Sequence, residues 1–283
     1  MPGVKTEEKP WPDRLDAARL GTAEPARHGT WAIALVLATA GYGLALHHGY
    51  LSLPSALWIA LLLAAGVAAR SRRAPLRLAG HALFIAVGAA LAFHALPGFG
   101  KALLIDRVIV SEGAPPYSMY LNLDKPLIGL WLLLVCPWIA PAYSRLATLR
   151  AATTSAATTI ALCLSIAMTL GAVAWDPKWP GFAGIWMANN LLLVCMAEEA
   201  LFRGYVMGGL IRLGGRFARA ALPASSLLFG LAHFSGGWEW MALAALAGAG
   251  YGWAYRQGGL LAAVAVHFLL NLTHFGLFSY PTL

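Results

Sequence analysis

The chain has 283 residues and a formal charge of +8, with 59% apolar and only 11% charged side chains and a mean hydropathy of +0.67. Soluble domains carry about 25% charged residues, so an ordinary soluble enzyme is excluded, and the lack of basic clusters interleaved with aromatics sets nucleic-acid binding aside. Several apolar runs approach or exceed the roughly 20 residues that a helix needs to cross a bilayer. The predicted fold class is all-α: a polytopic helical membrane protein of about eight to nine transmembrane helices.

Residues 1–28 are polar, Pro-rich and charged, and too long and acidic for a cleavable signal peptide. They are expected to form a disordered cytoplasmic tail. Candidate spans follow at 31–47, 53–69, 76–96, 126–143, 153–174, 183–211, 218–235, 238–256 and 259–279. Lys and Arg are distributed as the positive-inside rule requires of that count. The tail carries Lys5, Lys9, Arg14, Arg19 and Arg27, and alternate connections carry Arg70, Arg72, Arg73, Arg77, Arg145, Arg150, Arg212, Arg216, Arg219 and Arg256. The opposite side receives only Lys101, Arg107, Lys125 and Lys178. The amino terminus is therefore expected in the cytoplasm and the carboxyl terminus outside, in a cell (inner) membrane. Residues 29–182 form an amino-terminal helical region, and 183–283 hold the polar site.

One connection is long, at 97–125. Apolar residues on a helical spacing from Lys101 to Val110 predict a short helix along the membrane surface, either a plain exterior element or one that contacts substrate. Cys136, Cys163 and Cys195 lie in separate apolar segments without a CxxC pair, which predicts buried thiols rather than disulfides.

Of the twelve acidic residues, only Glu198 and Glu199 sit well inside a hydrophobic run, and Arg203 is the only cation that does. Ionisable groups at membrane depth are costly and usually have a task. Residues four apart share a helical face, so Glu199 and Arg203 should neutralise each other, while Glu198 diverges by about 100°. A buried, unpaired carboxylate suits a group that takes and returns a proton. Two further spans offer His233 and the pair His267 and Asn271, whose i,i+4 spacing could aim two donors at one oxygen. The polar site is thus expected between three helices of the carboxyl-terminal half. His81 and His94 read as packing residues, and His47, His48 and His274 as interfacial.

Glu198-Glu199-x-x-x-Arg203, Phe229-x-x-x-His233 and His267-x-x-x-Asn271, in that order and in separate spans, resemble the three-motif signature of the CPBP family. These are the CAAX-processing and bacteriocin-processing (ABI) type of intramembrane endopeptidase. The resemblance covers about residues 183–280. It implies that Glu198 and His233 position and activate water, that His267 and Asn271 steady an oxyanion, and that Glu199 and Arg203 brace the site. It implies a membrane-anchored or C-terminally processed protein or peptide as substrate. Without an HExxH pair the reading favours a glutamate-activated water. If a metal takes part, Glu198, His233 and His267 would be its ligands, with zinc as the candidate ion. The rival readings are a proton-coupled transporter, in which Glu198 and His233 form a relay, and a non-catalytic membrane partner such as an immunity protein.

Overall fold

A computed structural model describes residues 39–283; the expected tail and the start of the first span lie outside the described residues, and 39–47 is helical. Then follow α1 (Leu53–Ala69), α2 (Ala74–Ala92), β1 (Lys101–Val108), β2 (Tyr117–Asn122), α3 (Lys125–Val135) and α4 (Arg145–Thr169). α5 (Ala183–Leu213), α6 (Gly215–Leu231) and α7 (Gly237–Leu277) complete the chain. The stretches Ala74–Ala92, Arg145–Thr169, Ala183–Leu213 and Phe234–Leu277 are long and apolar enough to cross a membrane. The protein is an all-α helical membrane protein.

Local chemistry sets several helix starts. Pro54 and Pro75 occupy first-turn positions of α1 and α2, where the missing N–H costs nothing. The Ser144 hydroxyl accepts from Ala147 N–H at 3.2 Å to cap α4, and the Asp124 carboxylate accepts from Lys125 N–H at the start of α3. Large apolar side chains face outward, Leu53 at 87% and Val67 at 78% exposure, as a surface solvated by lipid requires.

α7 is two helices in one. Gly259 has φ 79° and ψ −170°, a conformation that favours glycine, and the chain reverses there. Tyr251 lies eight residues before the break and His267 eight after it. In a straight helix they would stand about 24 Å apart, yet their rings stack with centroids 4.6 Å apart. The two arms therefore form an antiparallel hairpin, each arm the length of one span. The eight spans expected after the first thus correspond to α1–α6 and the two arms of α7.

The connections gather at two ends. At one end Tyr143 Oη donates to Arg256 O at 2.9 Å and Thr148 Oγ1 to Gly258 O at 3.0 Å, while Arg212 lies over the Trp138 ring. At the other, Ser279 N–H donates to Ala174 O at 2.8 Å, Tyr280 N–H to Ser111 Oγ at 2.9 Å, and His94 pairs with Asp124. The Arg-rich connections share the first end and the sparse cations the second, the alternation expected from the sequence.

The segment from Lys101 is a correction. It is a strand of an antiparallel hairpin, pairing Lys101 with Asn122, Leu103 with Tyr120 and Val108 with Tyr117, and not a surface helix. Bulges between Leu103 and Ile105 and between Ile105 and Val108 break strict alternation, so its apolar residues mimic a helical spacing. Ile105 and Met119 pack down against Ala183, Trp186 and Phe275.

Candidate active site

The backbone of α5 is unusual where its polar residues lie. N–H groups reach five residues back at Met196 to Leu191 O and at Gly208 to Arg203 O, so wide π turns flank Met196–Glu199. Such bulges concentrate at functional sites.

Glu199 is the hub. Its Oε1 accepts from Arg203 Nη1 at 3.0 Å and from His267 Nδ1 at 2.9 Å, and both Glu199 and Arg203 are fully buried. Arg203 also donates Nη2–H to Gly248 O at 2.9 Å and lies 4.4 Å from the Phe229 ring centroid and 5.1 Å from that of Tyr251. Gly248 is required there, because a Cβ would stand 2.7 Å from Arg203 Nη2. A carboxylate only accepts hydrogen bonds, so His267 carries its proton on Nδ1 and keeps Nε2 for other work. The i,i+4 pairing of Glu199 with Arg203 is as expected, and His267 joins it as a third member.

His233 lies in the turn that follows the adjoining α6. Its Nδ1 faces Phe229 O at 2.8 Å, and since a carbonyl only accepts, Nε2 is again the nitrogen left over. Asn271 donates Nδ2–H to Asn190 Oδ1 at 3.2 Å. His233, His267 and Asn271 line one cavity of about 100 Å³, with Tyr251 and Phe229 deep in it and Val173, Trp240 and His274 towards the β-hairpin end. α4 supplies its apolar wall through Cys163, Leu164 and Ala167.

Glu198 stands apart. It is half-buried, has no hydrogen bond or ion pair among the described residues, and is not part of the cavity lining. The three motifs therefore meet through Glu199 rather than through Glu198. The possible metal set of Glu198, His233 and His267 is not assembled: among the described residues no group of three or more His, Cys, Asp or Glu is placed to hold a metal ion. His233 and His267 each keep Nε2 free, as a metal-ligating imidazole does, but Glu198 lies outside the cavity that they line, so the three side chains as placed do not form a zinc site.

His274 stands at the β-hairpin end of the same cavity. Its Nε2 lies 3.2 Å from Ser279 O, its ring is 6.0 Å from that of Trp240, and it lines the cavity. It is seven residues after His267, on the same helical stripe, which is the signal that could have revealed it. Asn190, a lone amide pair with Asn189 inside an apolar run, offered a similar signal. His81 hydrogen-bonds Tyr205 Oη at 3.0 Å and packs at Trp131, in keeping with a packing role. The three cysteines are buried and free.

Residues 180–273, about a third of the chain, match the family model described as Type II CAAX prenyl endopeptidase Rce1-like. That match spans all three motifs. No curated protein and no solved structure matches the chain.

Proposed function

With residues 180–273 a domain of the CPBP family of CAAX-type intramembrane proteases, we propose that the protein hydrolyses a peptide bond of a membrane-associated substrate with a water activated by Glu198. The observation that carries this reading is the shared cavity of His233, His267 and Asn271, set against the buried Glu199–Arg203 pair. Among the described residues Glu198 is the carboxylate of the motif without a hydrogen-bonded or ionic partner, which leaves it to accept a proton, whereas Glu199 is held by two donors.

In the proposed reaction Glu198 takes a proton from water that the His233 Nε2 lone pair helps to hold. The hydroxide attacks the peptide carbonyl. Asn271 Nδ2–H and, in its doubly protonated form, His267 Nε2–H donate to the oxyanion. The C–N bond then breaks as Glu198 returns the proton to the leaving amine. Glu199 and Arg203 hold His267 in place. Because Glu198 lies outside the cavity lining, substrate must bring water between them, which requires a change at the α5 wall. The substrate is a membrane-anchored or C-terminally processed protein or peptide. We place the protein in the cell membrane, with the β-hairpin end outside on the strength of its few cations.

A quenched peptide library incubated with purified protein tests this. Wild type should cleave, Glu198→Gln should lose about 10²–10⁴-fold in rate, and a chelator should change nothing. Glu198→Gln at wild-type rate would sink the mechanism. Loss on chelation with recovery on added zinc would replace it with a metal-dependent one.

A further inference from the structure

Asn190 lies eight residues before the first motif glutamate, on a different helical turn, and none of the three motifs includes it. It is nevertheless bonded to the site. Its Oδ1 accepts two hydrogen bonds, from Asn271 Nδ2 at 3.2 Å and from the Cys195 thiol at 3.2 Å. The Cys195 sulfur is itself 3.8 Å from Asn271 Nδ2. Round an ordinary α-helix residues five apart diverge by about 140°, so Asn190 and Cys195 could not meet. They meet because the wide turn of α5 starts at Asn190 and closes five residues on.

We infer that Asn190 is a positioning residue for Asn271, and that the wide turn exists to present it. A carboxamide can be reversed end for end with little change in shape, exchanging its donor for its acceptor. An Asn271 reversed in that way would turn a carbonyl lone pair towards a developing oxyanion and oppose it. An acceptor fixed at Asn190 Oδ1 admits only the Nδ2 end of Asn271. Asn190 Oδ1 and Cys195 Sγ stand only 3.2 Å apart, so one N–H of Asn271 serves both, and the second is left for the cavity that Asn271 lines. Cys195 plays the complementary part: its S–H engages the other lone pair of Asn190 Oδ1, so the Asn190 amide is itself held against reversal. The chain Cys195–Asn190–Asn271 thus runs from the α5 backbone to a donor of the site, in parallel with the chain Arg203–Glu199–His267 that fixes the other donor.

This rests on the peptidase reading, and the test separates the two. Asn190→Leu keeps the branched shape and removes the acceptor. Asn190→Asp keeps an oxygen at Oδ1. In full-length protein in nanodiscs, with the peptide that wild type cleaves best, Asn190→Leu should lower kcat about tenfold or more, below the 10²–10³-fold cost of deleting an oxyanion donor outright. KM and the thermal midpoint should stay close to wild type. Asn190→Asp should retain most of kcat, and Asn190→Leu should cost nothing further in an Asn271→Ala background. The Cys195 S–H stretch, assigned by difference from Cys195→Ala in the infrared, should shift in Asn190→Leu. An unmoved S–H band would overturn the geometry. A moved band with wild-type kcat would overturn positioning, as would equal losses in the Leu and Asp variants. A wild-type protein that cleaves no peptide would overturn the peptidase reading itself, and with it any catalytic meaning for Asn190.

Discussion

α5 has two contrasting faces. Towards α6 and α7 it presents Asn190, Cys195, Glu199 and Arg203, every one of them in a specific polar contact. Towards α1–α3 it presents Ala200, Leu201 and Tyr205 to a cluster of Phe84, Trp131 and Ile139, in which the rings of Phe84 and Trp131 stack at 3.8 Å. Among the described residues, the polar part of that face is a single contact, Tyr205 Oη with His81 Nδ1. In a bilayer neither face gains from expelling water, so both depend on close packing and satisfied polar groups. The site face concentrates charge where nothing can replace a lost partner. The other face spreads its stability over many small apolar contacts. Perturbations of equal size should therefore have unequal consequences.

The largest effect is expected at the hub. Glu199→Ala leaves Arg203 buried and unpaired and should cost about 3–5 kcal/mol, read as denaturant unfolding in detergent. Glu199→Gln combined with Arg203→Met should cost less than Glu199→Ala alone. A loss below about 1 kcal/mol for Glu199→Ala would show that the two faces do not differ in kind. Next in size is Gly248→Ala, whose new Cβ would stand 2.7 Å from Arg203 Nη2. Overpacking of this sort costs about 1–3 kcal/mol, and peptide cleavage should fall with it, since the guanidinium must move away from Gly248 O. Wild-type unfolding and cleavage in that variant would contradict the close packing of the α7 first arm on α5.

On the opposite face Tyr205→Phe removes one hydrogen bond and keeps the ring, for about 0.5–1.5 kcal/mol. Cleavage should be unchanged; a loss comparable to that of Glu198→Gln would extend the site across α5. The smallest effect lies outside the membrane. The Ser111 hydroxyl, followed by the Lys178 ammonium, holds the Asp176 carboxyl below its ordinary value. A depressed carboxyl contributes stability above its unfolded value and loses it as pH falls through the folded one. The thermal midpoint of wild type should accordingly decline on acidification below the usual Asp range, and Asp176→Asn should flatten part of that decline.

Much of this was legible in the residues themselves. Spans are written in long apolar runs because a bilayer leaves a backbone no other way to satisfy its N–H and C=O groups. Their alternation is written in the Arg-bearing connections, and Glu199 with Arg203 in a spacing of four, because helical geometry is local. The three motifs point to a candidate site in the carboxyl-terminal half. Tertiary structure decided the rest. Lys101–Val108 pairs as a strand because Tyr117–Asn122 lies beside it and Trp186 and Phe275 lie beneath, partners distant in sequence that local periodicity does not register. His267 joins Glu199 only because Gly259 turns α7 back on itself, and Asn190 reaches Asn271 only because α5 widens by one residue per turn there. Which residues share a helix face follows from covalent geometry, and the sequence alone determined it; which faces share a cavity follows from how helices reverse and where glycine lets them approach, and only the packed chain decided that.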